Sequence, residues 1–183
     1  MAEDFQEAVD FANASNAELG RVVALMQRPS EGVHVPVERL YFDETGGIEG
    51  DRWRETAWLR LEDGSPDPRV QVSVTNAQVI QVFTGPEPDS IYGCGDNLYL
   101  DFNLTEANLV AGDFLLIGEV RLKLSDVIND ACGKFSQRFG LKAFRMIREP
   151  ANQSYHLRGR FCSIEKSGYI SIGDAVRKLP NRL

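Results

Sequence analysis

Only two histidines, His34 and His156, occur in 183 residues, and neither stands near a cysteine in the sequence. A histidine-rich metal site and a histidine-activated nucleophile therefore lack sequence support. The three cysteines, Cys94, Cys132 and Cys162, are odd in number and form no C-x-x-C pair. That argues against a disulfide scaffold and a structural zinc site, and leaves reduced thiols. No apolar run approaches the roughly 20 residues of a membrane span. The start, Met1-Ala2-Glu3-Asp4-Phe5, is acidic where a secretory leader would be basic. The expected compartment is the cytoplasm, with no membrane partner. Cations are also in deficit: 20 Lys and Arg against 27 Asp and Glu leave a formal charge of -7. That balance disfavours nucleic acid as a broad partner and suits a small anionic cofactor or substrate held in a local basic pocket.

Hydrophobic residues make up 43% of the chain and charged residues 26%, the balance of a chain that folds around a core. Apolar spacing at Phe5, Ala8, Val9 and Ala12 predicts an amphipathic helix over Asp4 to Ala14. Residues 1–20 read as an N-terminal helical arm, and 21–183 as one β-rich domain. Strands are predicted at Arg21 to Met26, Pro36 to Tyr41, Val70 to Val74, Leu98 to Leu100 and Arg158 to Ile164. Residues 112–124 form two more, joined at Gly118, and Gly168 to Arg177 repeats that strand, Gly-Asp, strand pattern. Asn76 caps a helix whose buried side carries Ala77, Val79, Ile80 and Phe83. Many short strands with Gly-Asp turns and few helices predict a mostly β fold, a closed or partly closed β-barrel with peripheral helices over its openings.

The chemistry concentrates in Asp130-Ala131-Cys132-Gly133-Lys134-Phe135-Ser136-Gln137-Arg138-Phe139-Gly140, at the predicted start of a helix. Helix N-terminal amides and nearby cations favour a thiolate, the form of cysteine that attacks, carries sulfur or binds metal. The same segment also reads as a buried face, because Cys132, Phe135 and Phe139 share helical spacing. Lys134 reaches Cys132 only if the cysteine sits at the cap, outside helical geometry. Cys94 lies between glycines with no cation within three residues, and Cys162 lies in a predicted strand. Upstream, Gly46, Gly47 and Gly50 lead into Asp51 and Arg52, where backbone amides and a guanidinium can meet an anion; a plain glycine turn has the same pattern.

Taken in order, Gly50-Asp51-Arg52, the Val70 to Val79 strand and helix, Asp96-Asn97-Leu98, the strand pair around Gly118, Cys132, Arg158-Gly159-Arg160 and Gly173-Asp174 resemble the MOSC family. This domain ends molybdenum cofactor sulfurases and also occurs as small stand-alone proteins. The resemblance spans about Arg21 to Arg177. It implies a pyruvate-kinase-barrel-like fold and a role in handling sulfur or the molybdenum cofactor. Cys132 stands at the position of the family's cysteine, as a persulfide carrier or a molybdenum contact. It further implies Arg52, Lys134 and Arg160 against the pterin phosphate or the thiolate, with Gly47, Gly50, Asp51 and Asn97 binding or orienting the cofactor. A sulfur-donor protein is an implied partner. Some relatives use the cofactor to reduce N-hydroxylated compounds, and a binding module without turnover is the alternative. Pyridoxal phosphate belongs to the larger sulfurases and is not expected here. Two positions depart from many relatives: Ala131 stands where they carry Pro, and Trp53 where they carry His.

Overall fold

A computed structural model describes residues 5–179. Helix α1 (Gln6–Ala14) buries Ala8, Val9 and Ala12; Asp4, where the sequence begins this helix, lies outside the described residues, as do 180–183 at the end of the expected domain. Four strands follow, β1 (Leu19–Gln27), β2 (Val35–Val37), β3 (Arg39–Asp43) and β4 (Gly47–Ile48). After the short α2 (Trp53–Thr56) come β5 (Val72–Asn76), α3 (Ala77–Thr84) and β6 (Leu98–Asp101). The chain continues through β7 (Phe114–Ile117), β8 (Val120–Leu124), α4 (Gly133–Arg148), β9 (Arg160–Lys166), β10 (Gly168–Ser171) and β11 (Ala175–Leu179).

Seven strands close a barrel in the order β1-β6-β5-β9-β8-β7-β11, with β11 pairing back onto β1. Closure removes the exposed edges that an open sheet of this size would carry. β5 and β6 run parallel, so the chain needs a crossover between them, and α3 supplies it. Asn76 starts that helix by accepting from the backbone N–H groups of Gln78 at 3.0 Å and Val79 at 3.1 Å. β10, β3 and β4 form a small separate sheet.

Alternation along the strands sorts side chains into two cores. Val22, Leu25, Val72, Val74, Leu98, Leu100 and Leu122 fill the barrel, and burying each contributes about 1.5–3 kcal/mol. Ala24, Met26 and Tyr99 point outward and are covered by α1, α3 and α4 through Phe5, Ile80, Phe83, Phe135 and Ile147. β1 serves both cores because its register against β6 shifts between Val22 and Ala24. The extra residue, Val23, swings outward, and the phase of the strand changes there.

Three sequence boundaries move. Pro68–Val70 forms a 3-10 turn begun by the Asp67 carboxylate, which accepts from the Arg69 N–H at 2.9 Å, so β5 starts at Val72. Arg158 and Gly159 precede β9 instead of opening it. Cys132 follows a loop, eight residues beyond the end of β8, and does not sit directly after a strand. Among the described residues, no helix is long and apolar enough to cross a membrane.

Candidate functional site

Against the outer face of the β5–β9 wall, where Ser73 pairs with Phe161, lies a cleft of about 930 Å³. That volume suits a cofactor-sized ligand. Its lining includes the cations Arg28, Arg52, Lys134, Arg138 and Arg158 and the apolar side chains of Trp58, Ile128, Phe139 and Phe161. Cys132 and Cys94 both border it.

The cations are placed by one turn. Gly93, Cys94 and Gly95 present three consecutive carbonyl oxygens, each taken by a different arginine. Arg138 Nη1 donates to Gly93 at 2.7 Å, Arg158 Nη2 to Cys94 at 2.9 Å and Arg28 Nη1 to Gly95 at 3.1 Å. Arg158 is also held by Asp96, whose carboxylate accepts from Nη1 at 2.5 Å. Arg28 is gripped by Asp51, which accepts from Nε at 2.8 Å and Nη2 at 3.1 Å. Arg52 and Arg138 differ: among the described residues neither forms an ion pair.

Behind Arg28 stands a second layer. Asp51 accepts from Asn97 Nδ2 at 2.9 Å and from the Trp53 backbone N–H at 2.9 Å, and Asn97 Oδ1 accepts from the Ser73 backbone and hydroxyl, each at 3.1 Å. Asp51 and Asn97 thus orient a cation that faces the cleft, and their own polar atoms are already engaged. Gly47 is buried beneath the Trp53 ring; at φ +85, with a Cβ that would lie 2.8 Å from the indole, no other residue fits there without displacement. The Trp53 indole N–H is buried without a partner. Gly50 packs on Gln27, and neither glycine borders the cleft.

Cys132 is the N-cap of α4, extended at φ -133, with its carbonyl accepting from the Ser136 N–H at 3.2 Å. This position takes it off the buried stripe, so Phe135 and Phe139 stack at 4.9 Å without it, and the cysteine is exposed. The turn before it is left-handed at Ala131, φ +65. Proline cannot adopt that angle, so the turn as it stands excludes the Pro that the family resemblance implies at this position. Past Gly140, whose φ of +89 breaks the helix, α4 resumes toward Arg148.

Lys134 borders the cleft but is paired with Glu31 from the β1–β2 loop. Arg160 turns away into the wall, where Nη1 donates to the Leu109 carbonyl at 2.7 Å. Gly159 separates the two arginines of Arg158-Gly159-Arg160: a Cβ there would lie 2.2 Å from the Val74 carbonyl, at φ +86. Of the sequence candidates, the structure thus gathers Cys132, Arg52 and Lys134 on the cleft, places Asp51 and Asn97 one layer behind, and sets Gly47, Gly50 and Arg160 apart from it.

The other thiols sit in different surroundings. Burial pushes Cys94 up to about 12, against the pull of the Arg158 charge. Burial also lifts Cys162, inside the barrel, to about 12. His34, half-buried on the cleft, is held below the ordinary histidine range by burial and by the charges of Arg138, Arg28 and Arg52, against a hydrogen bond to the Tyr92 backbone. Arg28, His34, Asp96 and Arg158 join the site only through tertiary folding, although Arg138 was visible in the Cys132 segment and Arg158 in its Arg-Gly-Arg run.

Known proteins place this architecture. The YuaD protein of Bacillus subtilis superposes with a TM-score of 0.64 at 18% identity, covering 90% of this chain and 97% of its own. YiiM of Escherichia coli does so with a TM-score of 0.57 at 18% identity, over 89% of this chain and 71% of its own. YiiM of Geobacillus stearothermophilus gives 0.57 at 15% identity, over 87% and 75%. No curated protein matches the sequence. The MOSC domain family matches residues 68–177, more than half of the sequence. The chain belongs to the MOSC domain family.

Proposed function

We propose that the cleft holds a small anionic cofactor of the kind associated with this family, the molybdenum cofactor, and that Cys132 handles sulfur at its edge. The observation that carries the reading is the exposed thiol of Cys132 opening on a cleft that Arg52 and Arg138 leave electropositive. The residues present fit such a ligand. Arg52 and Arg138 have guanidinium groups without ion-pair partners for a phosphate, and Trp58 and Phe161, with ring centroids 5.9 Å apart, offer apolar faces to a flat ring. A thiolate is a soft ligand, suited to molybdenum. When bound, the cofactor supplies a redox-active metal that accepts sulfur ligands.

The chain's own part is binding and presentation. Asp51 and Asn97 fix Arg28, the Gly93–Gly95 carbonyls fix Arg138 and Arg158, and the α4 cap sets Cys132 where a donor protein can reach it. As a carrier, the Cys132 thiolate attacks the terminal sulfur of a donor persulfide. A new S–S bond forms, the donor's S–S bond breaks, and the donor leaves as a thiolate that takes up the proton Cys132 released on ionising. Incubating the protein with a persulfide-bearing donor and weighing it intact tests this. One added sulfur, absent from Cys132→Ser, is the expected result; no added mass on the native protein refutes the carrier role.

Molybdenum retained after purification from cells that make the cofactor supports the cofactor reading, and with it the reduction of N-hydroxylated compounds as a second activity. Metal-free protein from such cells favours the binding module. Alkylation supplies a further check: Cys132 is expected to label in the folded protein, with Cys94 and Cys162 following only on unfolding, because burial keeps both thiols protonated.

A further inference from the structure

His34 is one of only two histidines in the chain and lies at the electropositive part of the cleft. The charged groups that act on it most strongly are cations: Arg138 from α4, Arg28 from its own loop, and Arg52 from the turn before α2. The acids and thiols of the same cleft are occupied or distant in effect. Glu31 is turned to Lys134, Asp96 to Arg158 and Asp130 to Arg148, Asp51 in the layer behind is turned to Arg28, and the Cys94 thiol stays protonated. The Tyr92 phenol, itself shifted upward by burial, is neutral at physiological pH. The imidazole also packs against Gly95, the last residue of the arginine-clamped turn.

Burial and the surrounding arginine charges favour the neutral imidazole of His34, and an interaction with the Tyr92 backbone opposes them only in part. A neutral imidazole has one N–H donor and one lone-pair nitrogen, and the lone-pair nitrogen repels an anion. Adding a proton makes it a donor. An oxyanion between Arg52 and Arg138 cancels the positive field that keeps His34 neutral and repays the protonation with a charge-assisted hydrogen bond.

We propose that Arg52, Arg138 and His34 form an oxyanion subsite for a phosphate- or sulfate-type group, and that His34 takes one proton from solvent as the anion binds. The subsite rests on reading the cleft as a ligand site and names the residues that would hold the phosphate end of that ligand. It places Arg138 and His34 in the role that Lys134 and Arg160 were expected to fill. It does not involve Cys132.

Calorimetry with inorganic sulfate, which stays a dianion across the range, tests it on Cys132→Ser protein, so the outcome is independent of sulfur transfer. In two buffers of different ionisation heat, the binding heats are expected to differ by net proton uptake. Affinity is expected to rise as pH falls from 7.5 to 5.5, by up to about tenfold per pH unit where uptake is complete. His34→Gln, whose amide donates without titrating, is expected to bind sulfate with a flat pH profile, and Arg138→Gln to bind it at least about tenfold more weakly. Phenyl phosphate then separates two sources: tighter binding than sulfate identifies an organic phosphate ester, and equal binding a free oxyanion, both consistent with the subsite. Absence of sulfate binding at tens of millimolar overturns the proposal. So does proton uptake that His34→Gln leaves unchanged, and the two-buffer comparison on protein with native His34 does not depend on that variant folding.

Discussion

Arg158 and Arg160 stand two places apart and serve opposite regions. Arg160 lies in the barrel wall, where a backbone carbonyl satisfies it and Lys178 nearby in the fold meets Asp113 at 3.1 Å. There, cations are consumed by the scaffold itself. Arg158 faces the cleft with Arg28, and each is held by a buried carboxylate, while Arg52 and Arg138 beside them are left unpaired. The difference teaches what a functional surface costs. A fold neutralises charge where charge serves only packing, and holds it rigid but uncompensated where a ligand is to supply the counter-charge.

The strongest way to break that contrast is to remove Asp51. Its carboxylate side chain is fully buried and takes two N–H groups of Arg28, one of Asn97 and the Trp53 backbone N–H. Asp51→Ala leaves a guanidinium and an amide unanswered, an expected loss of about 3–5 kcal/mol in urea unfolding. It should also release Arg28 from the cleft wall. A loss below about 1 kcal/mol would mean the second layer does not hold the cleft together.

On the barrel side, His156 sharpens the contrast through pH. Burial, with the Arg160 charge adding to it, lowers its pKa from 6.5 to about 4. The folded value lies below the unfolded one, so above pH 6.5 both states carry a neutral ring and the residue costs nothing. As pH falls toward 4, the unfolded chain takes a proton that the folded chain refuses, and stability drains by at most about 3 kcal/mol. His156 is left-handed at φ +48, a conformation asparagine tolerates. His156→Asn is therefore expected to flatten stability across that window, as followed by thermal unfolding from pH 7 to pH 4.

Much of the barrel was legible because its strands carry period-two patterns. Val120, Leu122 and Leu124 are buried while Arg121 and Lys123 face solvent, as their alternation requires. Asn76 caps α3, and Gly140 separates the two halves of α4, again from local chemistry. The site was only partly legible. Cys132 at a helix cap is a local feature and could be read, but the arginine clamp on the Gly93–Gly95 turn joins segments up to 67 residues apart. Asp51 and Asn97 lie in motifs that mark them as site residues, yet no pattern says that their groups face each other instead of a ligand. Arg160 misleads for a similar reason: its motif marks it as a site residue, yet it shares the buried face of β9 with Cys162 and Ile164 and gives its guanidinium to the Leu109 carbonyl.

Ala131 tests how the cleft presents its thiol. At φ +65 a residue with a Cβ is strained, and Ala131→Gly relieves that strain at some cost in unfolded-state entropy. The expected gain is about 1 kcal/mol or less. Ala131→Pro, restoring what many relatives carry, cannot take the left-handed angle and is expected to destabilise the protein and slow or redirect Cys132 alkylation. Equal stability and labelling in the proline variant would show that the turn before α4 is free to change hand.

The smallest effect is expected at the cleft's rim. Glu31 and Lys134 pair across it with side chains 71% and 59% exposed, and the Lys134 hydrogen bond lowers the Glu31 pKa. Exposed pairs of this kind are screened by solvent and add little to stability. Glu31→Gln should leave the unfolding midpoint where it was. It should nevertheless raise sulfate affinity a few-fold at low salt, because it removes a carboxylate that acts on Arg52 and frees Lys134. The gain should fade as ionic strength rises. If the substitution instead lowers the midpoint and leaves sulfate binding untouched, Glu31 belongs with the barrel's self-compensated charges, and the cleft is less open to an anion than Arg52 and Arg138 make it.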